Sequence, residues 1–134
     1  MEMIIMSILA GLLSTMNVFA VSYDHVRLHI NDIYMVLLMT GWMTLLNNYM
    51  HDTSLFMPII SIFVMVYCIR TQFLVNDVQF LKGMIPHHSM AIQMARNTLL
   101  KTHNPKIKKL ASDIITAQTT EIRIMNDLLK TYGL

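Results

Sequence analysis

The sequence predicts an all-α protein: three membrane-crossing helices, then a two-helix hairpin that completes a four-helix bundle by pairing with a second copy. Three observations predict it. Residues 3–21, MIIMSILAGLLSTMNVFAV, carry no charge, and as a helix they are long enough to cross a hydrocarbon core of about 30 Å. Two more apolar runs follow at residues 33–50 and 55–69. Beyond residue 75 the apolar residues recur instead at the spacing of amphipathic helices. The expected organisation is a membrane region at 1–74, with helices at about 3–21, 33–50 and 55–69, and a hairpin domain at 75–134.

Composition agrees with a membrane protein. Charged residues make up 13% of the chain, against about a quarter in ordinary globular domains. The net charge of +2 is too small for a basic nucleic-acid face. One cysteine, Cys68, permits no intrachain disulfide and no CxxC chemistry. Fourteen methionines are either adaptable apolar filler or thioether ligands for a soft metal. Most lie in apolar runs, which favours filler for the group as a whole.

The first apolar segment also has the look of a signal peptide, with Val18 and Ala20 where a cleavage site wants small residues. Its start, MEM, lacks the positive charge of an n-region, so an uncleaved span is expected. The loop SYDHVRLHIND follows, with His25 and His29 at i, i+4 and Asp32 nearby. The second run carries Met35, Met39 and Met43 at i, i+4, i+8, a stripe that suits helix packing and would equally suit a thioether path. Tyr34, Trp42, Tyr49 and Tyr67 are partly placed like interfacial aromatics.

The hairpin is bounded by its caps. Asn76 with Gln79 resembles a capping box, opening a helix from about Asp77 to Lys101. THNP breaks it, and Asn104 with Pro105 opens a second helix that runs to about Thr131, with Gly133 past its end. At 100° per residue, Phe80, Met84, His88, Ala91, Ala95 and Leu99 share one face. Ile107, Ala111, Ile114, Gln118, Ile122, Met125 and Leu129 form the facing stripe, with Glu121 at its edge. His88 and Gln118 thus fall on stripes that should be buried, where an unpartnered polar group costs about 1–3 kcal/mol. Either they bond each other or a carbonyl across the core, or they serve a ligand. Pro86 either kinks the first helix or starts it.

Asp77, Phe80, Met84-Ile85, His87-His88, Ala91-Ile92 and Met94, followed by Leu110-Ala111, Ile114, Gln118, Glu121-Ile122 and Met125, resemble the family called domain of unknown function 305. The resemblance covers residues 75 to 129, and the apolar segments before it are similar to those of the membrane-anchored branch. It implies a ferritin-like helical bundle, exported or membrane-attached, in a family where some members bind copper or silver through His and Met. The chain departs from those relatives in the loop NNYMHDTS, which has no Lys or Arg.

The expected function is therefore binding of a soft metal, Cu(I) first and silver in its place, for metal tolerance or handling. Imidazole with thioether sulfur suits those ions. Met84 and His88, at i and i+4, with Met125 and Glu121 from the second helix, are the expected core ligands, while Gln118 and Asp77 support them. His87 and Met94 belong to a second, more exposed position. A di-iron oxidase is excluded by the absence of any Glu-x-x-His. No nucleophile–base set or paired carboxylates occur, so neither an enzyme nor a small-molecule substrate is expected. The competing reading is a structural or assembly membrane protein whose buried His–Gln network only fixes helix packing. The expected partners are the lipid bilayer and a second copy, since two helices leave an apolar face that a four-helix bundle would close. The third span is the other candidate to cover that face. Arg27 and Arg70 place the hairpin in the cytoplasm by loop charge. The resemblance and the signal-like start place it outside, and the extracytoplasmic side is the expectation.

Overall fold

The computed structural model describes residues 2–134 and is all-α, with five helices. They are α1 (Glu2–Leu13), α2 (Ile30–Met50), α3 (Phe56–Thr71), α4 (Asp77–Lys101) and α5 (Pro105–Thr131). Two 3-10 turns, Met16–Phe19 and Tyr23–His25, lie between α1 and α2. The chain divides into two compact units. One holds residues up to Thr15 together with His29–Val75; the other holds Met16–Leu28 and Asn76–Leu134.

The three membrane helices are the main expectation that the structure overturns. Among the described residues, only the 18-residue stretch Glu2–Phe19 is long and apolar enough to cross a membrane. The reason lies at the ends of the other helices. α2 has 21 residues, but Asn31 and Asp32 open it and Asn47 and Asn48 come near its end. Its apolar part is residues 33–46, about 21 Å at the α-helical rise. α3 has 16 residues, about 24 Å. Both fall short of a core of about 30 Å. A multi-pass topology does not stand, and the fold is five helices in two units rather than three spans plus a hairpin.

In the first unit, α1 packs on α2 and α2 on α3. Small residues set the approach. A Cβ on Gly11 would come within 3.0 Å of both Met39 Cε and Val36 Cγ1. One on Gly41 would meet Ile62 Cγ1 at 3.0 Å. Met39 is thus packed against α1, whereas Met35 and Met43 are exposed, so the methionine stripe of α2 does not act as one surface. The turn after α3 puts Gln72 and Leu74 at positive φ, 51° and 58°, where a side chain costs about 1–3 kcal/mol per residue. α2 holds this turn in place: Tyr34 donates its hydroxyl to the Phe73 carbonyl at 2.6 Å, and Asn31 donates to Gln72 Oε1 at 3.1 Å.

In the second unit, α4 and α5 form the hairpin. Asn76 Oδ1 accepts from the Gln79 amide at 2.9 Å, and Asn104 Oδ1 from the Lys106 amide at 2.9 Å. Each cap satisfies an amide that has no partner inside its helix. α4 runs without a break through Pro86, which rules out Pro86 as a helix start. Leu81, Ile85 and Ile92 of α4 meet Ile122, Met125 and Leu129 of α5 in the core. Burying each such side chain contributes about 1.5–3 kcal/mol.

The buried stripe of α4 is offset from the expected one. Leu81, Ile85, Ser89 and Ile92 are buried together with Ala95 of the expected face, Met84 and His88 lie at its edge, and Phe80 is 54% exposed. The face that the sequence left for a second copy or a third span is partly taken by Met16–Leu28. Both 3-10 turns pack on α4, and Val21 packs against the hairpin core.

Candidate functional site

The buried polar residues gather in three places. The first is the α4–α5 crossing. His88 Nδ1 lies 3.1 Å from Glu121 Oε2, with the imidazole nearly buried and the carboxylate half exposed. The approach does not make a hydrogen bond, and Nδ1 keeps no hydrogen-bond partner. Burial pushes the His88 pKa below the ordinary histidine value; Glu121 opposes that shift and His87 adds to it. The ring is therefore neutral near pH 7, the form that binds metals. One turn earlier on α5, Gln118 also has a buried Oε1 without a partner.

Two methionines stand one helical turn from this pair. Met84, one turn before His88, packs against the same apolar cluster that contains Met125, one turn after Glu121. Met125 is buried and Met84 half buried. His87 and Met94 are exposed. The His87 ring lies beside that of His88, with centroids 5.9 Å apart, while Met94 lies more than a turn further along α4. Asp77 does not join them. It stands eleven residues before His88 on α4, about 16 Å along the axis, and accepts from the Tyr132 hydroxyl at 3.3 Å. Among the described residues no three His, Cys, Asp or Glu side chains gather as metal ligands would.

The second place centres on a residue with no counterpart in the sequence expectations. Ser89 is fully buried. Its Oγ accepts from the Val21 amide at 2.8 Å and lies 2.9 Å from His25 Nδ1. Since the oxygen already accepts from Val21, its proton is free to go to the imidazole nitrogen. Burial lowers the His25 pKa, with Asp24 opposing and Arg27 assisting, which suits an accepting, neutral ring. The signal was present in Leu81, Ile85 and Ile92, whose i, i+4, i+11 spacing puts Ser89 on their face. The partners from residues 21–25 had no local signal.

The third place belongs to the first unit. His29 and Asp32 are both buried, with Nε2 and Oδ1 3.4 Å apart. Burial lowers the His29 pKa and raises that of Asp32, the mutual attraction opposing both. His25 and His29, adjacent turns of one motif by sequence spacing, thus serve different units.

The hairpin is also the part of the chain that a comparison of sequences matches to a family. Residues 75–134 match the family described as Domain of unknown function (DUF305). The protein called Uncharacterized protein L153, of Acanthamoeba polyphaga mimivirus, is 50% identical over 134 residues, spanning 95% of this chain and 88% of that protein. The chain carries a DUF305 domain and belongs to one family with that viral protein. No solved structure matches it.

Proposed function

We propose that the hairpin binds a soft metal ion, Cu(I) first and Ag(I) in its place, at the crossing of α4 and α5. The observation that carries this is His88: a nearly buried imidazole with an open Nδ1 and a carboxylate 3.1 Å away. A buried polar atom without a partner is destabilising by about 1–3 kcal/mol, and a bound cation would relieve it. Two ligand atoms about 2.0–2.2 Å from one ion stand near this separation from each other, so His88 and Glu121 fit a shared metal without moving far. Met84 and Met125 stand one turn from His88 and Glu121 in or against the hairpin core, and their thioethers would favour Cu(I) over Zn(II). Gln118 would orient the set as a neighbour of the ligands. The apolar stretch Glu2–Phe19 would hold the protein at a membrane, for handling or tolerance of the ion there.

A competing reading has its own support. The His88–Glu121 approach exists in the protein chain alone, so the pair and Gln118 could serve only to fix the register of the two helices. Competition titration with Cu(I) separates the two. On the metal reading, Met84→Leu costs under about 1.5 kcal/mol of stability yet weakens Cu(I) binding about tenfold, and His88→Ala removes the site. Equal Cu(I) affinity for wild type and both variants would reject it.

A further inference from the structure

At the end of the hairpin away from the α4–α5 connection, the second unit encloses an open cleft of about 560 Å³, lined by Arg27, Lys82, Lys130, Asn126, Asp24 and Leu129 among others. This volume lies within the range of about 300–1,000 Å³ typical of small-molecule sites. Three cations share these walls with Asp24 and with the C-terminal residue Leu134. Arg27 and Lys82 are half buried, and among the described residues neither has a carboxylate within ion-pairing distance. Lys130 shares its ammonium with Asp127 at 2.9 Å. Partial burial of unpaired cations is unfavourable unless something negative joins them.

The three cations come from three separate parts of the chain. Arg27 arrives on the segment that Ser89 pins at Val21 and His25. Lys82 stands in the second turn of α4 and Lys130 in the last turn of α5. No local pattern requires them to converge. Arg27 and Lys82 are drawn in beside buried Leu129 and the amide of Asn126, while Lys130 stands exposed at the rim.

We propose that this cleft is a binding site for a phosphate group carried on a small or lipidic molecule. The fork of Arg27 matches phosphate oxygens two at a time, Lys82 and Lys130 supply point charges, and Asn126 a neutral donor. Leu129 gives the ligand's carbon body an apolar wall. The site is separate from His88 and Glu121: Lys82 precedes His88 by six residues and Lys130 follows Glu121 by nine, about 9 and 13 Å along their helices.

The test uses the full chain in a neutral detergent, titrated calorimetrically with inorganic phosphate and with short-chain phosphatidic acid. A parallel flotation assay uses phosphatidylcholine vesicles with and without phosphatidic acid. Binding of a phosphate probe should weaken at least tenfold in Lys82→Gln and in Arg27→Gln. It should hold in Lys109→Gln, which removes an exposed cation of α5 paired with Asp113 and outside the cleft. Binding of inorganic phosphate points to a soluble phosphate ligand. Binding only of phosphatidic acid, with flotation that depends on it, points to a lipid headgroup. Unaltered thermal melting of the two cleft variants separates lost binding from lost folding, and should Arg27→Gln melt early, Lys82→Gln decides alone. No binding of either probe, or equal weakening by Lys109→Gln, overturns the site.

Discussion

Helices α3 and α5 show how differently the two units of this molecule are built. α3 is apolar on every side: Phe56, Met57, Phe63 and Tyr67 are all more than 60% exposed, while Pro58, Ile62 and Cys68 are buried. α5 confines its buried residues to Ala111, Ile122, Met125 and Leu129, and the rest of its surface is mostly Lys, Thr, Asp and Glu with Ile107, Leu110, Ile124 and Leu128 also exposed. A helix with a single apolar stripe specifies its own packing direction; one that is apolar all round does not. The hairpin therefore has a defined inner face, and function could be built on it by placing polar groups at its edge. In the first unit, specificity comes from close approach at Gly11 and Gly41 and from the polar ties of Tyr34 and Asn31.

That contrast can be sharpened by mutation. Ile85 has no exposed surface and Phe63 is 72% exposed. Ile85→Ala is expected to destabilise by about 2–5 kcal/mol through lost burial and the cavity left behind. Phe63→Ala should stay within about 0.5 kcal/mol. Denaturant unfolding of the two variants checks this, and similar losses would mean that α3 packs more tightly than its exposure indicates.

A somewhat smaller effect is expected from Ser89→Ala. The Val21 amide and His25 Nδ1 would each lose their partner, costing about 1–3 kcal/mol. The loss should appear first as faster hydrogen exchange of the Val21 amide, since residues 16–28 are held to α4 by this oxygen. Unchanged exchange at Val21 would show that apolar packing alone holds the segment.

The smallest effect is that of pH. His25 and His88 in the second unit, and His29 in the first, all have pKa values lowered by burial. The unfolded chain then binds more protons than the folded one between the lowered values and about 6.5, so stability rises with pH across that window. The stability these neutral rings contribute is present above about pH 6.5 and is lost as pH falls through the folded values. Melting between about pH 7.5 and about pH 5 should decline, and His25→Gln with His88→Gln should flatten the slope. If the slope persists in that pair, His29 of the first unit is its source.

The limits of the hairpin were legible because they are set locally. Asn76 and Asn104 act on amides two or three residues away, and Ala111, Ile122, Met125 and Leu129 fall at i, i+11, i+14 and i+18, which is one helical face. The spans were misread for a related reason: an apolar run is visible, but Asn31, Asp32, Asn47 and Asn48 shorten the membrane-compatible part of α2 below a bilayer's thickness. The α4 face was misread because Phe80, Met84 and His88 have the same helical spacing as Leu81, Ile85 and Ser89. Two stripes offset by one residue cannot be ranked by periodicity alone.

By itself, then, the sequence determined helical content, the two caps of the hairpin and the placing of Met84 and His88 one turn apart, since each depends on residues within a turn or two. The tertiary structure decided which stripe of α4 turns inward. It also set Glu121 against His88, bound Val21 and His25 to Ser89 across 68 and 64 residues of chain, and brought Arg27 to Lys82 and Lys130. The physical reason is that such contacts repay a long loop closure only when many surfaces pack together, and that sum cannot be read from any one segment.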